Sequence, residues 1–257
     1  MNYNLEKAFC FVKDDSGWIK KILTGGLLII VSYITLLLVL GITIATKKMC
    51  VWIFLLWLLG FFIFGILNLC VYGFSICYGR NLIGQEHTSL PEWKNFKTFI
   101  LLGLKAVLGS FLYYVPMFIL SALFIGADIF IRISGIDTSG EVFRIYTFVS
   151  DCIYQLVSLL YIIFFFIFNA IFLKECRVLS FVNIPKAFNW LKDNKKNYCL
   201  LVLFILAIGV FLNILIFLLA LTIIGIIFIP FVVIYIQIVI TDLIAQYVNT
   251  LESYDKE

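Results

Sequence analysis

Charge is scarce in this sequence: Asp, Glu, Lys and Arg make up 13% of its 257 residues, while 63% are hydrophobic and the mean hydropathy is +1.11. A soluble domain is nearer a quarter charged and half apolar. Histidine occurs once, at His87. A single imidazole with no HExxH or Cys-x-x-Cys companion argues against a metal centre, and no GxSxG accompanies it to suggest triad chemistry. Glycine-rich phosphate loops are missing too. These absences exclude a soluble enzyme, a nucleic-acid binder and a secreted disulfide scaffold. They leave no catalytic residue, no metal ligand, no cofactor and no enzymatic activity to expect.

Long uncharged runs stand in their place. Ile22–Thr46, Met49–Gly79, Ala106–Ala127, Cys152–Leu173 and Asn197–Thr241 contain no Asp, Glu, Lys or Arg. A helix needs about 20 apolar residues to cross a hydrocarbon core of roughly 30 Å. The first four runs hold one span each. The fifth is too long for one and predicts two, with a turn near Ala220–Gly225 that lacks polar punctuation, so a kinked or re-entrant segment stays open there. Runs such as Ile153–Phe168 are apolar on nearly every side, unlike the alternation of a membrane β-barrel. The expectation is one all-α integral membrane domain over residues 1–257, with six spans at about 22–46, 49–79, 100–127, 152–173, 198–220 and 223–245. A basic, Trp-bearing segment precedes each successive pair of spans, and the pairs are expected to form three hairpins. The first run is too long, and preceded by too many polar residues, for a cleaved signal peptide, and is read as a retained span.

Lys and Arg set the orientation. With the N-terminus inside, the inner segments carry 15 of them and the outer segments four. This predicts a multi-pass protein of the plasma or inner membrane with both termini cytoplasmic. Of the seven cysteines, only Cys50 and Cys152 then face outward, and they are the pair that could form a disulfide.

A basic, Trp-bearing segment precedes spans one, three and five: Trp18 with Lys20 and Lys21, Trp93 with Lys94 and Lys97, and Trp190 with Lys192, Lys195 and Lys196. Leu5, Ala8, Phe9 and Val12 share one helical face in the first segment. Ser89-Leu90-Pro91-Glu92 has capping-box spacing and predicts a helix with Trp93, Phe96 and Ile100 on one face. Asn183 is placed to cap a helix carrying Ile184, Ala187, Phe188 and Leu191. Such amphipathic helices lie in the headgroup layer with lysines toward anionic lipid. They either form a lipid- or partner-binding surface on the cytoplasmic side or simply anchor the spans.

The stretch Arg80-Asn81-Leu82-Ile83-Gly84-Gln85-Glu86, then Leu90-Pro91-Glu92-Trp93 and Gly103-Leu104-Lys105-Ala106, resembles the domain-of-unknown-function 4013 family of archaeal and bacterial membrane proteins. Asp15-Ser16-Gly17-Trp18-Ile19-Lys20-Lys21-Ile22-Leu23 with Gly25-Gly26 is similar to that family's aspartate–tryptophan lead-in to its first span. Ala245-Gln246-Tyr247 is similar to its glycine-glutamine-tyrosine ending, with Ala245 where glycine is frequent. The resemblance implies a polytopic membrane protein and carries over no catalytic residue. A more distant resemblance is to the membrane region accompanying some glycerophosphodiester phosphodiesterases, without their soluble catalytic domain.

Inside the spans the ionisable groups keep to the ends. Lys105 is placed to snorkel, and Asp242, about one turn inside the last span, reads as an interfacial carboxylate. The neutral polar residues Asn68, Gln155, Asn169, Asn213 and Gln237 serve interhelical hydrogen bonds or line a polar groove. Pro116 and Pro230 fall inside spans three and six and should kink them. The reading that follows is a non-enzymatic membrane protein that binds or senses lipids or small amphiphiles, or scaffolds a membrane complex. Its partners would be membrane lipids, with a membrane protein or a second copy alongside, and no nucleic acid. The alternative is a transporter or exporter component passing a neutral or amphipathic solute along Asn68, Asn213 and Gln237. A third, a lipid-modifying enzyme, would use Glu86, His87 and Glu92.

Overall fold

The computed structural model describes residues 5–9, 15–46, 51–83, 89–134 and 140–254. Every regular element among them is helical: α1 (Leu5–Phe9), α2 (Trp18–Thr46), α3 (Val51–Leu82), α4 (Phe96–Ile133), α5 (Glu141–Glu175), a 3-10 turn (Val178–Val182), α6 (Ile184–Asp193), α7 (Lys195–Ala220) and α8 (Ile223–Tyr254). Six of them, α2, α3, α4, α5, α7 and α8, are long and apolar enough to cross a membrane. The run expected to hold two spans does break. Only Leu221 and Thr222 separate α7 from α8, and the punctuation is Thr222, whose hydroxyl accepts the Gly225 N–H at 2.9 Å. Gly225 is required there, since a Cβ would stand 2.1 Å from the Leu219 carbonyl oxygen.

Burial is uneven along the helices. In α3 it is concentrated in residues 70–82, in α5 it begins at Ile167, and in α8 it is densest from Ile234 to Leu251. The opposite ends of the same helices present Trp52, Phe148 and Ile224 outward, as α2 does Leu37 and Leu38. α3 and α8 are central: α3 packs on α2, α4 and α8, and α8 on α2, α3, α5 and α7. α4 and α5 follow each other in sequence yet touch sparsely, and the main neighbour of α4 is α3.

Glycine sets the α3–α4 crossing. A Cβ on Gly73 would lie 1.7 Å from the Phe99 carbonyl oxygen, and one on Gly103 would lie 2.0 Å from that of Leu69. The two backbones are therefore in direct contact, the packing that small residues permit between apolar helices. Gly25 and Gly26 do the same for side chains of α8, Ile234 and Phe231.

The helix expected to open at Ser89 does not. Residues 89–95 are non-helical and α4 starts at Phe96. The Leu90 N–H donates to Asp15 Oδ2 at 3.0 Å and its carbonyl accepts from Lys21 Nζ at 2.6 Å, so tertiary partners take the backbone groups a first helical turn would use. Trp93 accordingly sits before the helix rather than on a face with Phe96 and Ile100. Asn183 does cap α6, its Oδ1 accepting the Lys186 N–H at 3.2 Å. In α1, Ala8 is fully buried and the Phe9 carbonyl accepts from Tyr235, while Val12 lies outside the described residues.

Candidate functional site

The N-terminus of α2 and the Leu90–Trp93 segment form one latch. Asp15, buried, accepts from Lys21 Nζ at 2.7 Å and from the N–H groups of Gly17 and Leu90. Burial pushes the Asp15 carboxyl up, but the Lys21 hydrogen bond, the Gly17 and Leu90 N–H groups and the Lys21 charge together hold it below the usual carboxylate value. Trp93 closes the latch from the other side. Its Nε1–H donates to the Lys21 carbonyl at 2.8 Å, and its ring stacks on Phe74 at 4.2 Å.

Two of the three basic clusters meet here. Lys20, Lys21, Thr24, Trp93 and Lys94 line one surface pocket of about 410 Å³. Lys20 and Lys97 are exposed, and Trp18 is half-buried against the core. Lys94 pairs with Glu92, both far into solvent, which lowers the Glu92 carboxyl and raises the lysine.

The third cluster is built differently. Trp190 lies under two ammonium groups, Lys186 at 5.2 Å and Lys174 at 5.7 Å from the ring centre. Sequence places Lys186 on the polar side of the Asn183-capped helix but gives no sign of Lys174, because Lys174 belongs to α5 and only the left-handed turn at Cys176 folds the chain back beside it. Lys186 also pairs with Glu175, which accepts from Ser180 at 2.6 Å. Lys192, Lys195 and Lys196 are exposed. On the same unit Leu179, Ile184 and Phe188 are 63–69% exposed, leaving an apolar face uncovered.

The interior polar residues separate. Asn68 and Gln237 line the same cavity, about 510 Å³, between α2, α3, α4 and α8. Asn213 is not part of it: the residue is on the exposed face of α7 and its Nδ2 turns back to the Gly209 carbonyl at 2.8 Å. Asn169 takes the corresponding place in a second cavity of about 280 Å³ between α3, α5, α7 and α8, also lined by Gln237. Tyr72 borders both. The signal for Tyr72 was its position one turn from Asn68, on the same face of α3. Gln155 faces outward. Asp242 is buried within the protein. Its carboxylate accepts from Tyr78 at 3.0 Å and Gln246 at 2.6 Å, because α8 continues past it to Tyr254 and α3 covers it.

Glu86, His87 and Cys50 lie outside the described residues, and so therefore do the Glu86–His87 pair of the lipid-modifying-enzyme reading and the Cys50–Cys152 disulfide. Among the described residues no three His, Cys, Asp or Glu side chains converge as metal ligands would.

The sequence model of the family described as "Protein of unknown function (DUF4013)" matches residues 53–221, well over half of the chain. That stretch includes Leu90–Trp93 and Gly103–Lys105 but not the segments at 15–23 and 245–247. No curated protein and no solved structure matches, and the likeness to a phosphodiesterase-associated membrane region finds no counterpart.

Proposed function

Because the chain belongs to the DUF4013 family of proteins of unknown function, with six helices fit to cross a membrane, we propose a role from its surface chemistry: a non-enzymatic, multi-pass membrane protein that binds anionic lipid at its basic end. The carrying observation is the unit formed by the 3-10 turn and α6. It leaves Leu179, Ile184 and Phe188 uncovered beside exposed Lys192, Lys195 and Lys196. An apolar face next to a lysine row is the arrangement of a helix lying in the headgroup layer. Anionic lipid attracts each such lysine by about 1 kcal/mol. In this reading both termini are cytoplasmic, in line with the Lys and Arg asymmetry, and the membrane is the cell's plasma or inner membrane.

The test is thermal unfolding in nanodiscs of phosphatidylcholine with and without phosphatidylglycerol. The anionic lipid should raise the melting temperature of the wild type. Glutamate at Lys192, Lys195 and Lys196 should abolish that increment while leaving the melting temperature in pure phosphatidylcholine nearly unchanged. An equal increment in both proteins would end the proposal. A second reading, a component passing a neutral or amphipathic solute, draws support from Asn68 and Gln237 lining one cavity. Asn213 contributes nothing to that route.

A further inference from the structure

The two cavities, each half-open at the side of the bundle, adjoin. They lie on opposite sides of the α3–α8 contact and share Tyr72, Val233 and Gln237 in their linings. Their sizes, about 280 and 510 Å³, are those of small-molecule sites. No Asp, Glu, Lys or Arg lines either one. A charged headgroup brought inside would find no counter-charge, and burying an unpaired charge is prohibitive. The occupant is therefore uncharged.

Polar groups are nonetheless waiting at the junction. Among the described residues, neither the Tyr72 hydroxyl nor the Gln237 side-chain amide has a hydrogen-bond partner. Asn68 and Asn169, by contrast, spend their Nδ2 groups on carbonyls one turn back in their own helices, at 2.8 and 2.9 Å. A carboxamide and a phenol left unpaired in apolar surroundings are costly, and both sit where the cavities meet. Beyond them the walls are aliphatic and aromatic, with Phe165 and Phe172 on one side and Ile29 and Val107 on the other. The shape is a polar junction with two apolar arms.

We propose that this junction binds a neutral two-chain lipid, a diacylglycerol being the simplest, with its hydroxyl and ester carbonyls on Tyr72 and Gln237 and one chain in each arm. The site goes beyond the surface reading above, since it uses none of the basic residues. It accounts for both unpaired groups, for the absence of charge and for the division into two arms.

The experiment is native mass spectrometry of delipidated full-length protein offered 1,2-dioleoylglycerol or dioleoylphosphatidylglycerol. The wild type should take up one dioleoylglycerol saturably. Gln237→Leu and Tyr72→Phe should each bind it roughly tenfold more weakly, as expected for losing one hydrogen bond. Gly65→Leu is the second kind of variant. A Cβ there meets nothing within 4 Å, so the added chain fills the larger arm without disturbing the helices and should exclude the lipid. Asn213→Leu, on the outward face, should bind as the wild type does. No saturable dioleoylglycerol binding, or binding untouched by both Gln237→Leu and Gly65→Leu, would overturn the proposal; cavities holding only water would give the first result. Glutamate at Lys192, Lys195 and Lys196 should leave dioleoylglycerol uptake intact. The surface reading and this one therefore fail separately.

Discussion

Gly103→Ala should loosen the bundle at its tightest point. The new Cβ would stand 2.0 Å from the Leu69 carbonyl oxygen, whereas real Cβ atoms essentially never come within 3.0 Å, so α3 and α4 must part by about 1 Å. Backbone opposes backbone, and no rotamer change relieves the clash. Overpacking of this kind costs about 1–3 kcal/mol, and alanine's better helix propensity returns about 1 kcal/mol. The net loss should be about 0–2 kcal/mol against the wild type and about 1–3 kcal/mol against a glycine-to-alanine change that meets no clash, the latter roughly 2–12 °C in melting temperature for a chain of this size. Gly126→Ala in the same helix is the control. Its Cβ meets nothing within 4 Å, so only the propensity gain remains. Gly73→Ala should behave like Gly103→Ala, because it presses on the Phe99 carbonyl across the same gap. The double variant should cost about 1 kcal/mol less than the sum, since one separation accommodates both methyls. Thermal unfolding in one detergent measures all four. Equal melting of Gly103→Ala and Gly126→Ala would refute the contact, and full additivity would refute its being shared.

Three further outcomes follow from the polar contacts. Asp15→Asn should destabilise the protein at neutral pH; because the folded carboxyl lies below its ordinary value of 3.8, the wild type's advantage is present above that value and is lost only as pH falls through the lowered one, as paired acid titrations would show. Trp93→Phe, keeping the ring on Phe74 but losing the bond to the Lys21 carbonyl, should cost about 1 kcal/mol, against about 3–5 kcal/mol for Trp93→Ala, both readable from melting curves. Asp242→Ala removes the carboxylate that accepts the Tyr78 hydroxyl at 3.0 Å and should cost about 1–3 kcal/mol, and pairing it with Tyr78→Phe should cost less than the two single changes added together; full additivity in melting curves would deny that the two groups depend on each other.

The helical class and the spans were legible because hydropathy alone carries them. The α7–α8 break was legible as a length problem, but its chemistry is a single threonine hydroxyl that no composition rule flags. Around Leu90 local and tertiary signals conflict. Ser89 to Glu92 has the spacing of a capping box, yet Asp15 and Lys21 reach across from a distant part of the chain and take the backbone groups for themselves. Periodicity reads one helix at a time, and so it could not place Asn213 outside the cavity that Asn68 and Gln237 share, nor bring Lys174 back over Trp190. The quoted motif residues Asp15, Lys21, Leu90, Trp93 and Gly103 turn out to be contacts between segments, which explains why they suggested no chemistry by themselves.

The gradient of burial along the bundle has a mechanical consequence. One end is clamped by backbone contact, buried hydrogen bonds and stacked rings, while at the other Trp52, Leu37 and Ile224 look outward. A bilayer thinner or thicker than the apolar length of these helices must be met by tilting or splaying. Such strain is borne by the open end alone. The molecule is thereby hinged at its basic end, and the thickness of the surrounding bilayer sets how far apart the far ends of its helices stand, a spacing that labels at Ile42 and Leu123 would report.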